Sequence, residues 1–290
     1  MRLSSLHTHS DFCDGQDSLE QLCSAASTQG LSAIGFSSHA PLLRKTGLQS
    51  DWHIPEDKLD DYLQTIDRLR SQWAGKLQVF AGLEIDYIKG LMGPADFCGA
   101  ALDYRIGSVH YLVPPQGNPF AVDGSPSDFE RGLYEGFSGD CKALVNAYWD
   151  SLEDMIHAGG FDIVGHVDLI KKNNRRHQYF SPDSAWYGER MERFAALLAG
   201  SSFIVEVNTG GLSRGRTDEL YPSVPLLRLL QHAGVPVMVT ADAHCAGQLT
   251  SFYDEAYRTL LALGWTSTVF FEGRKNGKAL WGKEDISWGN

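Results

Sequence analysis

Two pairs of metal-ligand residues stand near opposite ends of the sequence. His7 and His9 are two residues apart in "LHTHS", and Asp242 and His244 are two residues apart in "TADAH". Residues at positions i and i+2 of an extended chain point to the same side, so each pair can hold one ion. Imidazole and carboxylate ligands without thiolate are typical of sites for Zn, Mn or Fe.

Residues of the same types end the apolar stretches that lie between these two pairs. The full set comprises six of the ten histidines and two acids: His7, His9, His39, Glu84, His110, His166, Asp242 and His244. A single buried histidine usually has a structural role, but this repetition at corresponding places predicts a metal site. The ligands outnumber those that one tetrahedral ion uses, so we predict two or three divalent ions with Glu84 as a bridge.

Adjacent divalent ions predict hydrolytic chemistry. They lower the pKa of a shared water and stabilise charge on attacking and leaving oxygens. We predict phosphoester hydrolysis with Glu84, Asp242 and His244 as catalytic residues, Asp242 or a site histidine protonating the leaving group. Carbon–nitrogen hydrolysis is the competing reading, because metal-dependent amidohydrolase barrels also begin with HxH. Those enzymes usually bridge two ions with a modified lysine on the fourth strand, where this chain has His110.

A phosphate group also needs cationic partners, and basic residues follow two of the predicted strands. "GHVDLIKKNNRRH" contains Lys171 and Lys172, and "NTGGLSRGRTDELYPS" contains Arg214 and Arg216. The planar guanidinium matches phosphate oxygens. We predict Lys171, Arg214, Arg216 and Asn208 as substrate-binding residues. The glycines of "NTGG" either allow close backbone approach to an anion or make a turn.

The elements that must position these residues alternate between strands and helices. The predicted strands are "MRLSSLH", "LSAIGFSSH", "LQVFAGLEI", "YRIGSVH", "FDIVGHV", "FIVEVN" and "VPVMVTADAH". Short, β-branched, apolar runs of this kind are typical of buried parallel strands. Ser18 with Gln21 forms a predicted capping box, and Pro55 precedes a run with helical periodicity. Seven strand–helix units favour a parallel (β/α) barrel; an open doubly wound sheet is the alternative.

One connection is long. Residues 111–139 are rich in Pro, Gly and Ser, and would follow the fourth strand on the active-site face of a barrel. Such a segment is usually functional or disordered. We weigh a lid or substrate loop equally against a passive surface loop.

Composition limits the remaining possibilities. The chain has 290 residues, which suits two ordinary domains or one large α/β barrel. Its formal net charge is −11, which disfavours nucleic-acid binding. No apolar run reaches the ~18 residues of a membrane span, and the N-terminus lacks the apolar stretch of a secretory signal. The five cysteines are scattered and form no CxxC, so we expect a reduced, cytoplasmic protein. The sequence leaves open whether it forms a homo-oligomer.

These motifs together resemble the PHP (polymerase and histidinol phosphatase) superfamily. "HTHS", "SSHAPL", "GLEID", "GSVHYL", "GHVDLIKK", "EVNTGGL" with "YPS", and "TADAH" occur in that order to about residue 250. Within the superfamily the chain is most similar to the monofunctional histidinol-phosphate phosphatases, as "VDGSPSDFE" and "GHVDLIKKNN" indicate. The resemblance implies an α/β fold, a distorted seven-stranded TIM-like barrel, in a single metallohydrolase domain over residues 1–290.

The resemblance also implies an assignment of ligands to three ions. The first ion would take His7, His9, Glu84 and Asp242; the second would share Glu84 and take His110 and His166. The third would take Asp14, His39 and His244. Ser38 stands where many members have Asp, and Ser213 where many have Arg, with Arg214 next.

The expected function is hydrolysis of L-histidinol phosphate to L-histidinol and phosphate, in histidine biosynthesis. A first alternative is the same chemistry on another small phosphomonoester: a sugar phosphate, a nucleotide or phosphotyrosine. A second alternative is a non-catalytic metal-binding PHP module. It is disfavoured because every expected ligand position holds a competent residue.

Overall fold

A computed structural model describes residues 2–287 of the chain. Its strands are β1 (Ser4–Ser5), β2 (Ala33–Phe36), β3 (Gln78–Asp86), β4 (Tyr104–Ser108), β5 (Tyr111–Leu112), β6 (Phe120–Ala121), β7 (Ile163–Val164), β8 (Ile204–Asn208), β9 (Val237–Thr240), β10 (Ser267–Lys275) and β11 (Lys278–Asp285). Its α-helices are α1 (Leu19–Thr28), α2 (Leu59–Gln72), α3 (Pro126–Arg131), α4 (Cys141–Ala158), α5 (Ala185–Leu198), α6 (Gly210–Ser213), α7 (Val224–His232) and α8 (Tyr253–Ala262).

Seven parallel strands form the central sheet in the order β1-β2-β3-β4-β7-β8-β9. The two edges of this sheet meet through an isolated parallel bridge between Thr8 and Ala243. In that bridge the His9 N–H donates to the Ala243 carbonyl (2.8 Å), and the Ala243 N–H donates to the His7 carbonyl (3.0 Å). The sheet therefore curls into a nearly closed barrel, as expected, rather than the open alternative.

The local sequence signals of two helices are confirmed. Ser18 caps α1 in a capping box: its hydroxyl accepts from the Gln21 N–H (3.3 Å), and its own N–H donates to the Gln21 side chain (2.9 Å). After Pro55, a short 3₁₀ turn leads into α2, whose buried face consists of Tyr62, Ile66 and Leu69.

The long segment 111–139 contains regular secondary structure on both sides of an irregular stretch, residues 113–119. It contains the antiparallel pair β5–β6, helix α3 and a π-helical turn, Gly132–Gly136. Phe120, Phe129 and Leu133 anchor it in the hydrophobic core. Just after β6 it brings Asp123 and Gly124 to the cavity at the carboxyl ends of the strands.

The antiparallel hairpin β10–β11 packs against the amino ends of the barrel strands. Phe271 of β10 lies with Leu6, Phe80 and Tyr104 in a small apolar cluster. Its ring contacts those of Phe80 (4.9 Å between centroids) and Trp281 (5.1 Å). The polar residues of the barrel lie at the opposite end, at the carboxyl ends of the strands. No helix within residues 2–287 has the length and apolar character needed to cross a membrane.

Candidate metal centre

The barrel seam brings the two sequence-distant pairs side by side. The backbone hydrogen bonds between His7, His9 and Ala243 put the HxH pair next to Asp242 and His244. The Nε2 atoms of His7 and His9 lie 3.7 and 3.2 Å from Asp242 Oδ1. The residues at 7 and 9 and those at 242 and 244, which the sequence separates by more than two hundred positions, therefore share one site.

Glu84 of β3 lies at the centre of this site. Its Oε2 atom is 3.3 Å from His7 Nε2, 3.5 Å from His9 Nε2 and 3.0 Å from His39 Nδ1. Its Oε1 atom faces the other side, 2.7 Å from His166 Nε2 and 3.4 Å from His110 Nε2. A carboxylate that faces imidazoles with both oxygens has the geometry of a bridging ligand.

Asp14 completes the cluster on the solvent side. Its carboxylate lies 3.1 Å from His244 Nε2, 3.4 Å from His9 Nδ1 and 3.8 Å from His39 Nε2. Three groups of side chains within residues 2–287 have ligand atoms close enough to hold an ion: His9–Asp14–His39–His244, His7–His9–Asp242 and His39–Glu84–His110. His166 is outside these three groups but contacts Glu84. All nine residues predicted as ligands thus lie in one cluster.

Several polar atoms in the cluster are buried without a hydrogen-bond partner among the described residues. Besides His166 Nδ1, they are His7 Nε2, His9 Nε2, His39 Nδ1 and Glu84 Oε2, and these four face one another. An unsatisfied buried polar group is costly, and four that converge on one point require a common partner. Ligands around a tetrahedral ion at 2.0–2.2 Å lie about 3.3–3.6 Å apart, similar to the spacings observed here. The residues present therefore fit divalent cations.

The pKa values of His7, His110 and Glu84 show that the carboxylates of the cluster favour positive charge beside them, while burial and the neighbouring His9 lower the pKa of His39 and His244. Burial opposes protonation of His7, but Glu206, Glu84 and Asp242 raise its pKa to about 10. Burial likewise opposes protonation of His110, whose pKa Asp86 and Glu84 raise to about 10. Burial would raise the pKa of Glu84, but the surrounding imidazoles lower it well below its usual value. A cation would supply the same compensation as these protons.

Two carboxylates and a histidine that the sequence analysis left out of the site support its ligands. Glu206 of β8 accepts from His7 Nδ1 (2.8 Å), and Asp86 of β3 accepts from His110 Nδ1 (2.8 Å). Asp86 also bonds to Nε2 of the buried His53 (2.8 Å). Such partners fix the orientation of a ligating imidazole. Asp86 ends β3 and Glu206 lies in the middle of β8, and their places on predicted strands were the signal available in the sequence. His53 lies in a loop without periodicity.

Arg214 is the cation most closely tied to the cluster. Its guanidinium donates to Asp242 Oδ2 (2.8 Å) and to His244 Nδ1 (2.9 Å). Gly210 makes room for this pair, since a Cβ at that position would lie 2.8 Å from Asp242 and 2.9 Å from Arg214 Nη2. The sequence analysis offered two roles for the "NTGG" glycines, close approach to an anion or a turn. Gly210 does allow a close approach, but the groups that lie against it are the side chains of Asp242 and Arg214.

The remaining predicted phosphate-binding residues are placed differently from one another. Arg216 lines the metal cavity. Lys171 does not: its ammonium donates to the Leu220 carbonyl (2.7 Å) and pairs with Glu219 (3.0 Å) in a neighbouring cavity. Lys172 lines the metal cavity instead. Asn208 is fully buried and uses its amide on Glu206 and on the Gly210 N–H, so it orients the protein's own groups.

The cavity above the cluster has a volume of about 360 Å³. Besides the ligands, its walls include Trp52, Asp123, Lys172 and Tyr221. Trp52 stacks on Tyr111 (5.5 Å between centroids, 5° between planes) and meets His39 edge-on (4.7 Å). Asp123 accepts from Lys172 Nζ (3.0 Å). The cavity is wide enough for a small molecule and carries charges of both signs.

Comparison with known proteins agrees with this geometry. The family model of the PHP domain matches residues 5–210, well over half of the chain. The chain belongs to the PHP domain family. That match covers most of the barrel with seven of the nine predicted ligands; Asp242 and His244 follow it in the sequence.

Similar PHP proteins share most of their length with this one. A Deinococcus radiodurans protein provisionally named histidinol-phosphatase is 29% identical, over 93% of this chain and 96% of its own. The crystal structure of a Listeria monocytogenes protein provisionally named histidinol phosphatase has a TM-score of 0.77 at 22% identity. The match covers 87% of this chain and 99% of that protein's chain. A Lactococcus lactis histidinol phosphate phosphatase, solved with Zn, L-histidinol and phosphate, has a TM-score of 0.65 at 19% identity, covering 96% and 98%. The two structures support the barrel fold.

Proposed function

We propose that this PHP protein is a metal-dependent phosphomonoesterase that hydrolyses L-histidinol phosphate to L-histidinol and phosphate. The observation that carries the proposal is the convergence of three unpartnered buried imidazole nitrogens on the equally unpartnered Glu84 Oε2, beneath a cavity lined by Arg214. The named relative from Deinococcus radiodurans and the L. lactis enzyme bound to L-histidinol and phosphate support the choice of substrate.

Two or three divalent ions, Zn, Mn or Fe, would be held by the clustered imidazoles and carboxylates: His7, His9, Asp14, His39, Glu84, His110, His166, Asp242 and His244. When bound, such ions supply an activated water near neutral pH and polarise phosphoryl oxygens. The chain's own contribution is to fix the ligands: Glu206 and Asp86 hold the imidazoles of His7 and His110, and the barrel seam holds the two strand ends together.

Arg214 and Arg216 are proposed to bind the phosphoryl oxygens. Arg214 is oriented by Asp242 and His244, so its position is fixed before substrate enters. Arg216 makes no side-chain ion pair with the described residues and lines the same cavity. Lys172 is the lysine with access to this cavity, so it takes the place that the sequence analysis gave to Lys171.

Asp242 is proposed as an ion ligand rather than as the acid that protonates the leaving group. Burial would raise its pKa, but Arg214, His7 and His9 lower it well below the usual range. A carboxyl group held ionised in this way has no proton to give, and a bound cation lowers its pKa further. Its contribution is to anchor Arg214 and the seam side of the cluster.

Asp123 is proposed to bind the cationic amine of the substrate. It lines the cavity, and among the described residues its hydrogen-bond partner is Lys172, through Oδ2. Asp128, a second acid of the same segment, is bonded to Ser125 and Arg131 and does not line the cavity. Asp123→Asn should raise KM for histidinol phosphate but not for p-nitrophenyl phosphate, which has no amine, and Asp128→Asn should change neither. An equal effect on both substrates would remove this role.

The proposal as a whole is tested by measuring phosphate release from a panel of phosphomonoesters in added Mn or Zn. Histidinol phosphate should give the highest kcat/KM, ahead of sugar phosphates, nucleotides and phosphotyrosine. Glu84→Gln should abolish turnover and reduce the bound metal measured by elemental analysis, whereas Glu189→Gln, at an exposed position of α5, should do neither. Fewer than two ions per chain together with no turnover would support the non-catalytic alternative instead.

A further inference from the structure

A second cavity, of about 550 Å³, lies beside the metal cavity and is rich in basic residues. Its cationic residues are Lys171, Arg175, Arg176 and Arg216, and His177 lies among them. The two cavities share Arg216, and the consecutive residues Lys171 and Lys172 line one cavity each. The basic cavity is therefore separated from the candidate active site by little more than the thickness of the chain.

The guanidinium groups of this cavity lack acidic partners. No carboxylate of residues 2–287 pairs with Arg175, Arg176 or Arg216; Arg175 donates to the Gly215 carbonyl (2.7 Å). Two acids, Asp218 and Glu219, also line the cavity. Glu219 is paired with Lys171, so Asp218 is the one remaining carboxylate in the lining to balance the charge of the three arginines. In a chain with a net charge of −11, three unpaired arginines around one cavity form an exceptional local excess of positive charge.

The basic wall is also held in a fixed, strained conformation. Arg176 and His177 both have a φ of 56°, a left-handed backbone conformation that residues other than glycine seldom adopt. The buried Asn174 maintains the turn: its amide donates to the Phe180 carbonyl (2.8 Å) and accepts from the Tyr179 N–H (3.0 Å). Strained residues persist only where the surrounding structure holds them, and they cluster at ligand sites.

The opposite wall is anchored to the candidate active site. The Arg216 N–H donates to the carbonyl of Gly211 (2.8 Å), a residue that lines the metal cavity. Thr217 bonds through its N–H to the same carbonyl (3.2 Å) and through its hydroxyl to the Glu219 carbonyl (2.8 Å). Both walls of the cavity therefore present their cations from backbone that is fixed in advance.

We propose that the basic cavity is a second phosphate-binding subsite, in which Arg175, Arg176 and Arg216 bind a phosphate oxyanion. Forked guanidinium donors match phosphate oxygens, and several such donors around one cavity select a multiply charged oxyanion over a halide. The phosphate bound there is either the inorganic phosphate released next door, a use that rests on the proposed function, or a second phosphate group of a substrate that spans both cavities.

The subsite is tested by titrating inorganic phosphate into the chelator-treated protein by calorimetry, so that the metal centre does not contribute. One bound phosphate per chain is expected. Arg175→Ala/Arg176→Ala should weaken it by about tenfold or more, since each lost charge-assisted contact is a substantial part of such an affinity. Arg228→Ala is the matched control: it is an exposed arginine of α7 that also lacks an ion pair among the described residues and lines neither cavity.

Two results would overturn the proposed subsite. Chelator-treated protein that binds no phosphate, or a double variant that binds it as tightly as the parent, eliminates it. These outcomes do not depend on turnover, so loss of the phosphatase proposal and loss of the subsite are distinguishable. If the metal-loaded double variant loses only phosphate product inhibition, released phosphate is the ligand; if it loses kcat/KM selectively for a bisphosphate, a second substrate phosphate is the ligand.

Discussion

At the residue scale, the metal centre depends as much on the partners of its ligands as on the ligands. Glu206 makes four hydrogen bonds inside the barrel: Oε2 accepts from His7 Nδ1 and Thr240 Oγ1, and Oε1 accepts from the His166 N–H and from Asn208. It thereby connects strands β1, β7, β8 and β9 below the site. A change in this one carboxylate reaches two proposed ligands at once.

Replacing Glu206 with Gln should therefore lower metal affinity while preserving the size of the side chain. The amide cannot accept from His7 and Thr240 as the carboxylate does, and loss of such a partner typically costs ~10–100-fold in metal affinity or activity. Competition against a fluorescent chelator measures this affinity. Thr240→Val removes one hydrogen bond to the same oxygen and should have a smaller effect; equal affinities for all three proteins would contradict the role of Glu206.

Metal affinity should also rise with pH. A ligating imidazole must be neutral, but without an ion the acidic neighbours raise the pKa of His7 and His110 to about 10. Both therefore hold a proton at neutral pH, and metal binding must release it, which tightens apparent binding by up to about tenfold per pH unit for each proton released. Calorimetry of metal binding in buffers of different ionisation enthalpy counts these protons. Binding without proton release would contradict the raised pKa values.

Most proposed ligands were predictable from the sequence because they end apolar strands at corresponding places. His7, His110 and His166 could be found in this way without knowledge of their neighbours. Lys171 and Lys172 could not be told apart, because the 3₁₀ turn after β7 decides which ammonium enters the metal cavity. His53 gave no signal, since its bond to Asp86 exists only once a loop has folded over the barrel.

At the scale of elements, the turn after β8 packs closely against the site. Thr209 leads from the strand into the short helix α6, which begins with Gly210 and Gly211 and is followed directly by Arg214, the partner of Asp242. Gly210 has no unusual backbone angle; its need is for space, because the Asp242 and Arg214 side chains occupy the volume where a Cβ would be. The identity of this residue is therefore set by the site rather than by the turn.

Gly210→Ala should reduce activity more than stability. The added methyl group would push apart Arg214 and Asp242, and a displacement of about 1 Å at a substrate-positioning group can cost ~100-fold in rate. Measurements of kcat/KM and of thermal unfolding separate the two effects. Gly188→Ala in helix α5, where nothing lies within 4 Å of the new methyl group, is the control and should leave activity unchanged. Unchanged kcat/KM in Gly210→Ala would show that the turn can move without consequence.

The alternation of strands and helices was also predictable, but the folding of segment 111–139 was not. Of its apolar anchors, Phe129 and Leu133 have the i, i+4 spacing of a helical face, but Phe120 precedes Phe129 by nine residues in a run rich in Pro and Gly. One short helical pair does not predict how the rest of the segment folds. The three anchors are buried because the segment packs on the barrel wall. Burial of that kind depends on tertiary contacts, which a local pattern does not contain.

At the scale of the whole molecule, a polar cluster and an apolar cluster occupy opposite ends of the barrel. The carboxyl ends of the strands carry the candidate metal centre, and the amino ends are covered by the β10–β11 hairpin through Phe271. Arg274 strengthens this attachment by donating to the Asp103 carbonyl (2.7 Å) and pairing with Asp162. The hairpin therefore contributes to stability from a position remote from the chemistry.

Phe271→Ala should destabilise the fold by about 3–5 kcal/mol, the usual cost of emptying a buried phenylalanine site. Urea unfolding measures this change, and the metal content of the folded variant should stay the same. Leu280→Ala on the same hairpin is the control, since Leu280 is exposed and its truncation should cost no more than ~0.5 kcal/mol. Comparable destabilisation by both changes would mean that the hairpin does not cover the barrel as described.

The seam between Thr8 and Ala243 also orders events during synthesis. A nascent chain on the ribosome exposes its first two histidines early, but the residues that complete their coordination are added more than two hundred positions later. Until Asp242 and His244 have left the exit tunnel, the earliest-made imidazoles have neither the seam nor the carboxylate beside them. Loading of any ion that uses Asp242 or His244 would therefore be a late step, coupled to closure of the barrel by the final strand, whereas the group His39–Glu84–His110 is complete before that strand is made.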